Sequence, residues 1–412
     1  MKSAILSLVL VPCLGLSAIA QMPPQMSPAE REARAKARSE AAIEAAKKPA
    51  AEDFKPSTIN QQGKEYPAVN SERRVRARVV APDAHSVALD IDAVKFPLTK
   101  GEDGAWVGTS TPQDEGFHYY QIVVDGAQVP DPNSLFFYGA GRWGSAVEVP
   151  AQDEDFYALK NVPHGQLREV RFFSKSSNAF VRCFVYTPPD YDKDPSKRYP
   201  VLYLQHGAGE DETGWGSQGH TGRIMDNLLA AGKAKPFIIV MANGGGIPRP
   251  AGPPPAAAPG APGRAPAPGG FPRFNFSAFE NYLIGDLIPY IDANFRTIAD
   301  QPHRAMAGLS MGGMQTRQIT LANLDKFSHI GIFSGGMITP DDVKDMDAFK
   351  KQVKLAFFSF GGRENGALAK TAADALKQAG VNSVYYESPG TAHEWQSWRR
   401  SLYQFAPLLF QK

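Results

Sequence analysis

Gly308-Leu309-Ser310-Met311-Gly312 follows a short apolar run at 304–307 and opens onto a helical stretch at 313–323. A strand that turns into a helix this abruptly leaves the central residue a strained conformation. Side chains two positions to either side would clash, so glycines are demanded there. The elements around it repeat the alternation. Apolar runs at 201–205, 237–241, 305–307, 330–333, 355–360 and 384–387 alternate with helical stretches at 224–231, 279–291, 314–322 and 367–379. Runs apolar on both faces suit strands covered on both sides, and strand–helix alternation predicts a mostly parallel sheet. Residues 167–173 and 180–186 read as a leading antiparallel pair. An α/β domain is therefore expected over 165–412, interrupted at 244–270 by a Pro/Gly/Ala-rich insertion that can form neither helix nor strand.

Upstream the pattern changes. Short strands are expected at 75–80, 86–92, 105–109 and 119–124, separated by Pro82-Asp83, Asp103-Gly104, Asp125-Gly126 and Pro132-Asn133. Such spacing predicts a small all-β sandwich over 65–150, joined to the α/β domain by a linker at 151–164. Trp106 and Tyr120 are expected in its core. Residues 21–64 are rich in Ala, Lys, Glu and Pro without a clear apolar stripe, and are expected to form a disordered leader. At the front, Lys2, an apolar run at 4–16 and Ala18-Ile19-Ala20 read as a signal peptide over 1–20. That implies a secreted or periplasmic protein with no membrane segment in its mature form. Cys13 leaves with the signal, so Cys183 is a lone core thiol and neither a disulfide nor a cysteine zinc site is expected. A net charge of +2 supplies no field to attract nucleic acid.

The motif at 308–312 also has chemical content. A serine at a strand–helix turn is exposed above the sheet, beside the positive end of a helix dipole. Ser310 is therefore the candidate nucleophile. His206-Gly207-Ala208-Gly209 follows an earlier strand, where backbone N–H groups of Gly207 or Ala208 can join that of Met311 in an oxyanion hole. A general base should follow the serine. His329 enters an apolar strand and reads as packing, whereas His393 lies in a Gly-containing loop after the last strand. His393 is the expected base. The acid should follow the strand at 355–360, in Gly361-Gly362-Arg363-Glu364-Asn365. Glu364 is the first choice, with Asn365 as an uncharged alternative and Asp341 and Asp342 in reserve. Asp211, Trp215 and Trp395 are expected on the substrate rim. Nothing in the spacing of His, Cys, Asp and Glu calls for a metal, and no cofactor fingerprint is present.

Two resemblances rest on these residues. "RVRARVVAPDAHSVALDID", "DGAWVGTS", "GFHYYQIVVDG" and "DPNS" resemble the immunoglobulin-like carbohydrate-binding modules of family 48. "YPVLYLQHGAGEDETGW", "AGLSMGG" and "GTAHEWQSWRRSL" are similar to carbohydrate esterase family 1, which holds feruloyl and acetyl xylan esterases and is related to the enterochelin esterases. The resemblance implies an α/β-hydrolase fold and a Ser-acid-His esterase acting on feruloylated or acetylated plant polysaccharide. It also implies G-x-x-D at the acid position, which falls on Asn365, so this chain departs from the pattern there. Two alternatives remain: a periplasmic siderophore ester hydrolase, and a carbohydrate-binding protein with an inactive esterase domain.

Overall fold

The structure, a computed structural model, describes residues 27–245 and 275–411. The expected signal peptide and all but Gly244 and Gly245 of the Pro/Gly-rich insertion lie outside the described residues.

Two sheets form the N-terminal part. One runs in the order Lys55–Pro56, Ala68–Val69, Arg74–Val80, Ala105–Pro112, Thr99–Lys100. The other runs Phe136–Gly139, Arg142–Val149, Gly116–Val124, Val87–Ile91, Val94–Pro97, with Ala127–Val129 added beside Gly116–Val124. Alternate residues turn inward, so Val75, Ala77, Leu89, Ile91, Phe96, Ile122 and Val147 share one core. Trp106 and Tyr120 lie in it, with Trp106 Nε1 donating to Ala81 O and Tyr120 Oη to Asp131.

The disordered leader expected at 21–64 is corrected by the structure over its described residues. Pro28–Ala46 is a helix, opened by a reciprocal capping box between Ser27 and Glu30. Its short stripe of Ala42, Ile43 and Ala46 packs on the sandwich core, and the Arg74 guanidinium reaches the carbonyls of Ala46 and Lys48 beyond its end. Lys55–Pro56 then pairs with Ala68–Val69, so the all-β part begins before residue 65. The segment joining the two parts is also docked. Phe156 and Tyr157 are buried, and Asn227 Nδ2 donates to Phe156 O and Ala158 O.

The second part is built on eight strands in the order Gln166–Ser174, Ala179–Thr187, Ile238–Ala242, Val201–Gln205, Arg304–Leu309, His329–Phe333, Leu355–Gly361, Ser383–Ser388. The first three are antiparallel neighbours and the rest run parallel. Leu202, Leu204, Ile239, Ala305 and Ala307 face helices Thr221–Ala230 and Trp395–Phe405. Tyr203, Ile238, Val240 and Met306 face the opposite layer, where Phe279, Leu283, Ile291 and Ile319 cover them. Cys183 is a buried free thiol in that second layer, pushed up to about 12 by burial. This is the α/β-hydrolase arrangement. Parallel strands end on one face, which puts the loops after Gln205, Leu309, Phe333, Gly361 and Ser388 side by side.

Candidate active site

The turn at Ser310 is as tight as its sequence demands. A Cβ on Gly308 would fall 2.5 Å from Gly312 C, and one on Gly312 would fall 2.6 Å from His206 O. Ser310 itself sits at φ 51°, ψ −114°, a conformation that costs a non-glycine residue about 1–3 kcal/mol. It is held there by its N–H donating to Phe333 O at 2.8 Å, while its own carbonyl accepts from Met314 N–H at 3.1 Å. The strain lifts Oγ off the sheet at the start of helix Met311–Ala322.

Three side chains from three loops meet there. Ser310 Oγ lies 2.9 Å from His393 Nε2, and His393 Nδ1 lies 2.7 Å from Glu364 Oε1. The other carboxylate oxygen, Glu364 Oε2, accepts from Ser334 Oγ at 2.7 Å and from Gly361 N–H at 2.7 Å. Burial alone would raise the Glu364 carboxyl. Hydrogen bonds from His393, Ser334 and Gly361 outweigh it, so the group lies below its ordinary value and stays ionised. An ionised acceptor at Nδ1 favours the tautomer with the proton on Nδ1, leaving Nε2 free to take the serine proton. Asn365, one residue on, is exposed. Asp342 caps Thr339 and pairs with Arg317, and Asp341 is exposed.

The candidate oxyanion donors lie beside Ser310. Gly207 is packed so close to the elbow that a Cβ would fall 2.5 Å from Leu309 Cδ1 and 3.4 Å from Ser310 Cβ. Ala208 is exposed next to it, and Met311, as the first helical residue, has an N–H with no intrahelical acceptor. The His206 ring is buried and structural. Its Nε2 accepts from Gly244 N–H at 3.0 Å, and burial lowers its pKa, which keeps it neutral. His329 is also structural, lowered to about 4 by burial and accepting at Nε2 from Phe410 N–H.

The three residues expected on the substrate rim are elsewhere. Trp215 is 1% exposed and donates from Nε1 to Gln205 O; Trp395 is 2% exposed and donates to Tyr119 Oη. Asp211 accepts from Thr213 N–H and is likewise buried. The all-β part covers this flank, and aromatic residues beside the oxyanion loop fill the joint instead of facing solvent. Two residues of the site were not singled out from the sequence. Ser334 holds Glu364, and Trp398 stands edge-on to the His393 ring at 5.1 Å while donating to Ser334 Oγ. Ser334 follows a strand with no motif around it, and Trp398 lies within "GTAHEWQSWRRSL" without any spacing that ties it to the base.

A nucleophile, a base and an anchored carboxylate beside backbone donors can carry acyl transfer through a covalent intermediate. Comparison with known proteins agrees in kind. The family model described as "Putative esterase" matches residues 174–409. An endo-1,4-beta-xylanase/feruloyl esterase of Xylanibacter ruminicola is 44% identical over 375 residues, covering 87% of this chain and 48% of that protein. An esterase of Mycobacterium tuberculosis is 34% identical over 161 residues, 37% of this chain and 28% of that one. The chain thus spans about half the length, or less, of these relatives. Among solved structures, a ferulic acid esterase of Anaeromyces mucronatus bound to ferulic acid superposes with a TM-score of 0.50 at 24% identity, covering 63% of this chain and 96% of that one. The enterobactin esterase of Shigella flexneri superposes with a TM-score of 0.55 at 14% identity, over 81% of this chain and 92% of that one. At these identities the two likenesses establish the shared fold.

Proposed function

Because the chain belongs to the esterase family whose characteristic region fills residues 174–409, we propose that it is a secreted or periplasmic serine esterase that removes acyl groups, feruloyl or acetyl, from plant polysaccharide. The observation that carries the reading is the relay of 2.9 Å and 2.7 Å from Ser310 Oγ through His393 to Glu364. In the proposed reaction Ser310 Oγ attacks the ester carbonyl as its proton passes to His393 Nε2. The oxyanion is met by N–H groups of Met311 and of Gly207 or Ala208. Collapse returns the proton to the departing sugar hydroxyl and leaves an acyl group on Ser310. Water, activated by His393, then releases the carboxylic acid. Glu364 orients the imidazole and stabilises its charged form throughout.

The substrate class draws on the feruloyl esterase named in the relative at 44% identity. An open site suits it. The His393 side chain is 49% exposed, so among the described residues nothing stands between an ester carried on a polymer and the base. The relevant assay is hydrolysis of methyl ferulate, an aryl acetate and feruloylated arabinoxylan by wild type and by Ser310→Ala. Turnover by wild type that vanishes in Ser310→Ala supports the reading, and the preferred ester separates feruloyl from acetyl. A second reading, a siderophore ester hydrolase, is favoured by the longer reach of the enterobactin esterase fold, over 81% of this chain against 63% for the ferulic acid esterase. A catecholate triester in the same assay decides between them.

A further inference from the structure

The all-β part meets the hydrolase part at Tyr119, and the chemistry of that hydroxyl is fully used. It accepts from Gln218 Nε2 at 2.6 Å and from Trp395 Nε1 at 3.3 Å, which fills both lone pairs. Its single proton is left to donate, and Glu210 Oε1 at 3.2 Å is a nearer acceptor than Tyr138 O at 3.4 Å. Glu210 ends the turn that follows His206, its N–H bonded to Gly207 O, and its second oxygen is buried with no partner among the described residues. Burial raises this carboxyl to about 7, with the Tyr119 hydroxyl pulling the other way. The neighbouring contact repeats the tie, since Gly141 N–H donates to Gly209 O at 2.7 Å. Gly139 lets the Tyr119 ring lie against its own sheet, for a Cβ there would fall 2.2 Å from Tyr119 Cζ. On the other side, Trp395 begins the helix two residues after His393. It stands edge-on to Trp398 at 5.3 Å, and Trp398 in turn packs on the His393 ring.

We propose that Tyr119, a residue of the N-terminal all-β part, is a positioning residue for the esterase site, its hydroxyl fixing the oxyanion loop through Glu210 relative to the histidine segment through Trp395. The all-β part is then a component of the catalytic unit for every ester, including small ones that do not touch it. The inference rests on the esterase reading above.

The test uses the full chain, a small aryl acetate and an aryl boronic acid, which forms a tetrahedral adduct on the serine and so reports on oxyanion-hole geometry. Losing one well-placed hydrogen bond of this kind lowers kcat about tenfold in Tyr119→Phe, with KM within about twofold of wild type. Affinity for the boronic acid falls in parallel. Glu210→Ala loses the same factor, Glu210→Gln keeps most of the activity because an acceptor remains, and the double variant Tyr119→Phe/Glu210→Ala is no slower than either single one. An unchanged kcat, a change confined to KM, or losses that multiply in the double variant would overturn the proposal. Should Tyr119→Phe fail to fold, the contrast between Glu210→Ala and Glu210→Gln carries the same decision, and equal activities there reject it. A wild type that hydrolyses no ester removes the esterase reading and this proposal together. A wild type that does, beside an equally fast Tyr119→Phe, removes only this one.

Discussion

Glu364 grips His393 with one carboxylate oxygen and is gripped by Ser334 and Gly361 through the other. In the proposed triad, that two-sided hold lets a glutamate act one residue before Asn365, the position where the sequence resemblance implies aspartate. Glu364→Gln keeps the shape but can present an N–H to Nδ1, which stabilises the unproductive tautomer. A loss of about 10⁴-fold in kcat is expected, as for the equivalent change in a serine triad. Asn365→Ala, at an exposed position, is expected to stay near wild type. Steady-state kinetics on methyl ferulate compares the two, and a larger loss in Asn365→Ala would contradict the assignment. That Ser310 and His393 would be brought together was legible, because each lies in a segment whose chain order the fold fixes. Glu364 was legible only as one of two neighbours, since consecutive residues of a turn point in different directions that spacing does not encode.

At the scale of elements, the turn around Ser310 is locked by backbone against backbone. A Cβ on Gly312 would fall 2.6 Å from His206 O and 2.7 Å from Gln205 O, neither of which can swing aside. Gly312→Ala is therefore expected to destabilise the fold by about 1–3 kcal/mol through overpacking. By pushing back the oxyanion loop it should also cut kcat by about 10²-fold. Gly285→Ala is the control, because a Cβ there meets nothing within 4 Å. Urea melts and initial rates on both variants check this, and equal effects would contradict it. The parallel strands were readable because their burial on both faces makes them continuously apolar. Helix Trp395–Phe405 was not. Trp395, Trp398, Leu402 and Phe405 form a buried stripe at helical spacing, but Gln396, Ser397, Arg399 and Arg400 are buried between them, so the segment reads as a polar stretch broken by isolated apolar residues. The leader helix Pro28–Ala46 was missed for the opposite reason: three small or medium residues are all it buries on the core.

Across the whole molecule, a buried ion pair crosses the joint between the two parts. Arg399, fully buried on helix Trp395–Phe405, makes two hydrogen bonds of 2.6 Å and 3.0 Å to Glu148 of strand Arg142–Val149 and stacks over the Tyr157 ring. Arg400 holds Asp153 and Arg363 holds Asp114 across the same joint. Nothing in the sequence pairs residues so far apart along the chain, so how the sandwich seats on the hydrolase was not legible. Glu148→Ala leaves Arg399 buried without its counter-charge, and a loss of about 3–5 kcal/mol is expected in chemical denaturation. Burial would raise the Glu148 carboxyl, but the Arg399 charge and its hydrogen bonds override that and hold it at about 2, against an ordinary value of 4.5. A carboxylate with a depressed folded pKa stabilises above the unfolded value and loses that stabilisation as pH falls through the folded one. Wild type should thus lose stability between pH 4.5 and about 2, and Glu148→Ala should lose less over the same window. Parallel acid titrations of the two proteins would contradict the account.

The central claim, that Ser310 carries the acyl group, is tested most directly by intact-mass and peptide mass spectrometry of the protein quenched during turnover of an aryl ester. The account predicts an acyl adduct on the peptide that contains Ser310, formed in a burst with release of the phenol and absent from Ser310→Ala. Turnover with no adduct at Ser310, or undiminished turnover by Ser310→Ala, would contradict it.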